Sequence, residues 1–201
     1  MLLWLGLFAL AGATTYQFFR GRRTNLELMR DYVREIESSL DPVDKLYTLT
    51  GLYSGFKSEF KVRNEKIEKI EISLGLMPRE SLLYYPISLL TLRHDRLYIV
   101  FRLTKIPREE IHIVHPKTLG YNAKELRNVL KNKVIINGTI YLTNTEENHP
   151  TLNDLKSIVL DENVLHVSLV PRTSVLYVFL KPRRGLIKKV IKSSLNFIER
   201  L

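Results

Sequence analysis

The sequence predicts an α+β protein, an antiparallel sheet with helices packed on it, cytoplasmic and tethered by one N-terminal transmembrane helix. Three observations lead there. The first 19 residues carry no Lys, Arg, Asp or Glu although the chain has a net charge of +10. After Arg20, apolar residues recur now at every second position and now at helical spacing, so strands and helices are interspersed. Finally, Asn137 and Gly138 sit between two β-branched runs in KVIINGTIYL, a pattern that specifies a tight hairpin and hence antiparallel neighbours.

The start reads MLLWLGLFALAGATTYQFF. As a helix at 1.5 Å per residue it covers roughly 28 Å, close to the hydrocarbon thickness of a bilayer. Residues 1–19 are therefore expected to be a transmembrane helix. Arg20, Arg22 and Arg23 follow at once, and basic residues beside a span tend to stay in the cytoplasm. They are the topology-determining candidates, with the N-terminus outside and the rest of the chain inside. Small residues from Leu10 to Ala13 also suit a cleaved export signal, but such a signal carries its positive charge ahead of the apolar run, not behind it.

Residues 20–42 read as a basic stop and linker helix. Thr24 and Glu27 form a capping box, and Leu26, Met29, Val33, Ile36 and Leu40 recur at helical spacing. The expected helix runs from Asn25 to Leu40 and stops at Asp41, because the residue before Pro42 is pushed out of helical geometry.

Residues 43–201 read as the cytoplasmic α+β domain, with 43–116 and 117–201 as candidate halves meeting near Pro116 to Tyr121. Leu52 to Val62 and Ile70 to Leu76 alternate as strands with one wet face, joined by a turn at Asn64. Arg96 to Thr104 suits a more central strand, and Ile111 and Ile113 mark a short fourth one. Between the second and third of these strands Ser81 to Leu92 reads as a helix with Leu83, Ile87 and Leu90 on one stripe and a kink or restart at Pro86. Leu82, Tyr84, Tyr85 and Leu89 make its other sides apolar. Either it is buried on all sides, or Leu82, Leu83, Tyr84, Tyr85, Ile87 and Leu90 include a face that meets lipid or an apolar client. A helix capped by Asn122 and carrying Leu126 and Leu130 leads to the Asn137–Gly138 hairpin. A further helix spans about Leu152 to Leu160, with Thr151 and Asp154 as its capping pair. Strands Val164 to Val170 and Ser174 to Leu180 flank a turn at Pro171 to Thr173, and a helix from Gly185 to Leu201 closes the order.

Chemistry of the enzymatic kind is hard to find. With no cysteine there is no disulfide framework, thiolate nucleophile or zinc–thiolate site. There is no GxSxG, P-loop or dinucleotide fingerprint. His112 and His115 are three apart, which on a strand puts them on opposite faces and rules out a shared metal. His166 reads as the polar side of its strand, and His94 with Asp95 as an exposed turn. A non-enzymatic protein without a cofactor or metal is expected; a membrane-tethered enzyme would need a concave site near His94 or His112.

The basic residues are more informative. Lys181, Arg183, Arg184, Lys188, Lys189 and Lys192 cluster where the last strand enters the last helix. Such a cluster either keeps a helix face solvated or binds phosphates, of ribosomal RNA or of anionic lipid, in a salt-dependent way.

The order of an apolar start, a basic stop, a linker helix, then LTGLYSGFKSEFKV, LMPRESLLYYPISLL, RLYIVFRL, LHVSLV and VLYVFLKP before a basic terminal helix resembles the calumin family. That family is the coiled-coil-domain-containing subunit of the PAT complex in the multipass translocon of the endoplasmic reticulum. The resemblance covers nearly the whole chain from Phe19 onward and rests on pattern and order, without a diagnostic motif. It implies a non-enzymatic membrane-protein biogenesis factor that associates with the Sec translocon and the ribosome and assists insertion or folding of multipass membrane proteins. Membrane lipid and a small membrane-protein partner follow from it, and ribosomal RNA is the one nucleic acid it implies. The family's acidic lumenal region and long C-terminal coiled coil have no counterpart here, which implies a minimal, prokaryotic relative at the plasma membrane and puts the coil's ribosome contact in doubt. The alternative is a membrane-anchored scaffold that recruits proteins to the inner membrane face without touching ribosomes.

Overall fold

The computed structural model describes residues 1–91, 94–119 and 128–201. It begins with one uninterrupted helix, α1 (Leu2–Leu40), 39 residues long. The break expected at Thr24 is absent, because its hydroxyl donates back to the Arg20 carbonyl at 3.0 Å, as a mid-helix threonine does, instead of capping a new helix. The far end stops where expected: Asp41 takes the left-handed conformation at φ 42° and its N–H returns to the Glu37 carbonyl.

The expected transmembrane tether is corrected. Among the described residues no helix is long and apolar enough to cross a membrane, and this counts against single-pass localisation. The physical reason lies in where the apolar run stops. It is unbroken only to Ala13, roughly 20 Å of helix against the roughly 30 Å of a bilayer core. Thr14 and Thr15 then turn their hydroxyls onto the Leu10 and Ala11 carbonyls. By Gln17 the helix already belongs to the folded domain, since that side chain donates to the Arg79 carbonyl at 2.7 Å.

Nine strands form one antiparallel sheet in the order β1-β2-β3-β4-β9-β8-β5-β7-β6. They are β1 (Asp44–Gly51), β2 (Gly55–Lys61), β3 (Ile67–Gly75), β4 (Arg96–Leu103), β5 (Ile111–Val114), β6 (Asn132–Ile136), β7 (Thr139–Thr143), β8 (Val164–Val170) and β9 (Val175–Leu180). The α+β class and the antiparallel sheet are thus as expected. β1 is an addition. It is an edge strand whose residues are mostly exposed, and without a buried face it has no apolar alternation to betray it. The first expected strand consequently starts late, at Gly55, and Leu52 lies in the β1–β2 turn, 74% exposed. Asn137 and Gly138 both have positive φ, 51° and 77°, as the two-residue hairpin requires.

Among the described residues three further α-helices are α2 (Tyr84–Thr91), α3 (Pro150–Lys156) and α4 (Leu186–Arg200). Helices α1, α3 and α4 share a single core with one face of the sheet. Met29, Tyr32, Ile36 and Leu40 of α1 pack with Leu152 and Leu155 of α3, with Ile187, Val190, Ile191, Phe197 and Ile198 of α4, and with Phe60, Ile70, Ile99, Phe101, Val167 and Val178 of the sheet. Each such side chain contributes about 1.5–3 kcal/mol by leaving water, so the second half of α1 is an integral part of the domain. A smaller cluster, Val114, Leu119 and Leu130 with Leu142 against it, occupies the other side of β5 and β7. The expected helix capped by Asn122 and carrying Leu126 lies outside the described residues.

Candidate functional site

Two surfaces of opposite chemistry stand out, and α1 joins them. One is an apolar end organised around a polar knot. Asn25 is fully buried. Its amide nitrogen donates to the carbonyls of Tyr53 (2.8 Å) and Met77 (3.0 Å), while its oxygen accepts from the Arg79 guanidinium at 3.0 Å. Arg79 in turn makes a two-pronged pair with Asp95, 2.9 and 2.7 Å, and Asp95 also accepts from the Met77 N–H at 2.8 Å. Breaking the Arg79–Asp95 fork costs more than losing an exposed pair, because it would leave a charge without its partner in a site largely removed from water. Asp95 is therefore a buried structural anion and not part of an exposed turn.

The knot binds α1, the β1–β2 turn and the loop before α2 to one another. Gly21 sits so close to the Arg79 carbonyl that a Cβ there would collide with it. The Phe18 ring meets Tyr53 edge-on at 6.3 Å, and Arg22 lies 4.5 Å over the same tyrosine ring. Many large side chains that leave this knot outward are apolar. Leu49 and Leu52 are exposed at the β1–β2 tip, Phe18 and Phe19 ring α1, and Leu3, Trp4, Leu5, Leu7, Phe8 and Leu10 lie exposed beyond them.

Helix α2 continues this end, and it is inside out. Its buried residue is Ser88, whereas Leu83 is 73%, Tyr84 67%, Ile87 53% and Leu90 78% exposed. The stripe Leu83–Ile87–Leu90 therefore faces water, and the all-round burial weighed for this segment does not occur. Leu82 and Tyr85 are half-buried, turned with Ser88 toward the domain. A contiguous exposed apolar surface of this kind marks a place where something else packs.

The second surface is the basic cluster. Lys181, Arg183, Arg184, Lys188, Lys189 and Lys192 are all exposed around the entry to α4. Two acids of α1 modify the cluster in a way the sequence did not suggest. Asp31 pairs with Arg184 at 2.6 Å, and the Glu35 carboxylate accepts the backbone N–H groups of Gly185 (2.6 Å) and Lys188 (3.3 Å), capping the positive end of α4. Arg184 is thus committed within the fold. Lys181, Arg183, Lys188, Lys189 and Lys192 have no ion pair among the described residues and remain available to a partner. Arg20, Arg22 and Arg23, expected to set membrane topology, lie at the root of the apolar end; Arg23 pairs with Glu27 at 2.9 Å.

The sheet face away from α1 holds a ring of aromatic and imidazole groups. Tyr98 stacks on Phe179 at 4.6 Å, and His166 meets Tyr177 edge-on at 5.2 Å. His112 Nδ1 lies 3.4 Å from His166 Nε2, and His112 Nε2 lies 3.0 Å from the Glu110 carboxylate. Burial, with the neighbouring His112, pushes the His166 imidazole down to about 4, so it is neutral at physiological pH. Burial lowers His94 and His115 as well. His166 was legible only as a polar-side strand residue; its partner, His112, lies on β5 and becomes a neighbour through the β5–β8 pairing. Among the described residues no group of three or more His, Asp or Glu side chains could hold a metal ion. A cleft of about 610 Å³ opens near the end of α4, lined among others by Lys66, Lys105, Arg108, Arg200 and Phe197; neither His94 nor His112 lines it.

Comparison with models of known protein families and with curated proteins returns no match for this chain.

Proposed function

We propose that the protein is a non-enzymatic factor of membrane-protein biogenesis. The exposed apolar start of α1, Leu3 to Leu10, engages hydrophobic segments of multipass proteins or of the Sec translocon, and the basic cluster meets ribosomal RNA. One observation carries this reading: both surfaces abut the same helix, the apolar start of α1 running out from Gln17 and the basic cluster packed against Asp31 and Glu35, with about 27 Å of α1 from Gln17 to Glu35 at 1.5 Å per residue. A ribosome delivering an apolar segment presents the same pair of chemistries, phosphate on one side and uncovered hydrocarbon on the other. The element order that resembles calumin supports the same reading, and kinship with that family is part of the proposal.

A second reading, a scaffold that recruits proteins without ribosome contact, is favoured by one detail. Asp31 and Glu35 already neutralise Arg184 and the start of α4, which leaves less charge for RNA. Site-specific photocrosslinking in cells separates the two. Crosslinkers at Leu5 and Leu7 are expected to capture Sec-channel subunits or nascent multipass proteins, and one at Lys189 ribosomal components. Products containing neither would contradict the biogenesis reading and leave the scaffold.

A further inference from the structure

The inverted helix α2 calls for an occupant. We propose that the outward face of α2, the β1–β2 tip and the Phe18–Phe19 collar of α1 form a docking surface for an anionic lipid surface, on which the protein seats peripherally. It stands independently of ribosome binding.

The argument begins with what faces outward. Leu83, Ile87 and Leu90 repeat at helical spacing on the solvent side of α2, with Ser88 inward. A helix that buries its serine and exposes its leucines is oriented for a second apolar phase. Leu49 and Leu52 add the hairpin tip, and Phe18 and Phe19 the root of α1, all held by the Asn25–Arg79–Asp95 knot. Three separate chain segments thus expose hydrocarbon beside one another.

Charge selects the occupant. From Ser81 to Thr91 and from Leu49 to Ser54 there is no charged residue, and from Gln17 to Met29 the charges are Arg20, Arg22, Arg23 and Glu27. The apolar patch is therefore rimmed by net positive charge, and a shallow trough beside it is lined by Phe19 and Leu26 together with Arg22, Arg23, Arg30 and one acid, Glu27. A second copy of this chain docked through the same patch would bring like arginines together across the two-fold axis. A neutral apolar helix would cover the leucines and leave Arg20 and Arg22 without an anionic partner, Arg23 alone being paired with Glu27. Acyl chains bearing anionic headgroups satisfy both, the hydrocarbon against α2 and the tip, the phosphates against the arginines.

The test uses the full chain and sedimentation with vesicles, either of phosphatidylcholine alone or of phosphatidylcholine with phosphatidylglycerol in equal parts. The wild-type chain is expected to pellet with the anionic vesicles and far less with the neutral ones. Leu83→Ser, Ile87→Ser and Leu90→Ser together should abolish pelleting. Arg20→Gln with Arg23→Gln should weaken binding to anionic vesicles by about fivefold per arginine and remove the preference over neutral ones. All five side chains are exposed, and unchanged near-ultraviolet circular dichroism verifies that each variant keeps its fold. Failure of the wild-type chain to pellet with either vesicle, equal binding to both, or a serine variant that binds like wild type would overturn the proposal. So would a stable dimer in the absence of vesicles that the serine changes convert to monomer.

Discussion

At the scale of the residue, Asn25 decides how α1 joins the sheet. It uses both ends of its carboxamide, donating to the Tyr53 and Met77 carbonyls and accepting from Arg79, with no exposure to water. Replacement by alanine leaves those groups buried without a partner, so Asn25→Ala is expected to lower unfolding free energy by about 1–3 kcal/mol in urea titrations. In the sequence Asn25 reads only as the first residue of a helix, because its partners lie 28 and more positions away and no local spacing can disclose them. His166 carries a pH dependence. Unfolded, its imidazole takes a proton near pH 6.5; folded, only near about 4. Across that window the unfolded chain binds more protons, so the contribution is fully present above pH 6.5 and disappears as pH falls toward 4, on the order of 3 kcal/mol in all. The urea midpoint of wild type should therefore fall relative to that of His166→Leu between pH 7 and pH 4.5. A parallel pair of curves would contradict the assignment.

At the scale of the element, Gly21 offers a clean contrast between propensity and packing. On an exposed helix, glycine to alanine stabilises by roughly 1 kcal/mol. Here the added Cβ meets the Arg79 carbonyl, so Gly21→Ala is expected to destabilise by about 1–3 kcal/mol, read as a lower midpoint in thermal unfolding. The strands with a buried face were legible because their alternation is imposed by the core: Ile70, Ile72 and Leu74 of β3, and Leu97, Ile99, Phe101 and Leu103 of β4, are all buried. The same physics hid β1, which buries almost nothing. It misled over the first of the two most apolar segments and left the second open between burial and an outward face. Hydropathy says that Met1 to Phe19 and Ser81 to Leu92 prefer hydrocarbon, but not whether that hydrocarbon is a bilayer interior, a protein core or a partner. The structure answers by where Gln17 and Ser88 attach: the first segment becomes part of a helix shared with the domain, the second an outward-facing one.

At the scale of the whole molecule, the functional account rests on two exposed surfaces, an apolar end with Arg20, Arg22 and Arg23 at its root and a basic cluster at the entry to α4. The basic cluster was legible as a run in the sequence, whereas its partial neutralisation by Asp31 and Glu35 was not, since those acids arrive from the opposite end of the chain. Five cations remain for a phosphate-rich partner, and each phosphate contact adds to the salt dependence of binding. The most direct test of the account is co-sedimentation of the full chain with ribosomes across a salt series. The account predicts pelleting at low salt that falls steeply as salt rises, and its loss when Lys188, Lys189 and Lys192 are changed together to Glu. Absence of pelleting at low salt, or pelleting that the triple change leaves intact, would contradict it.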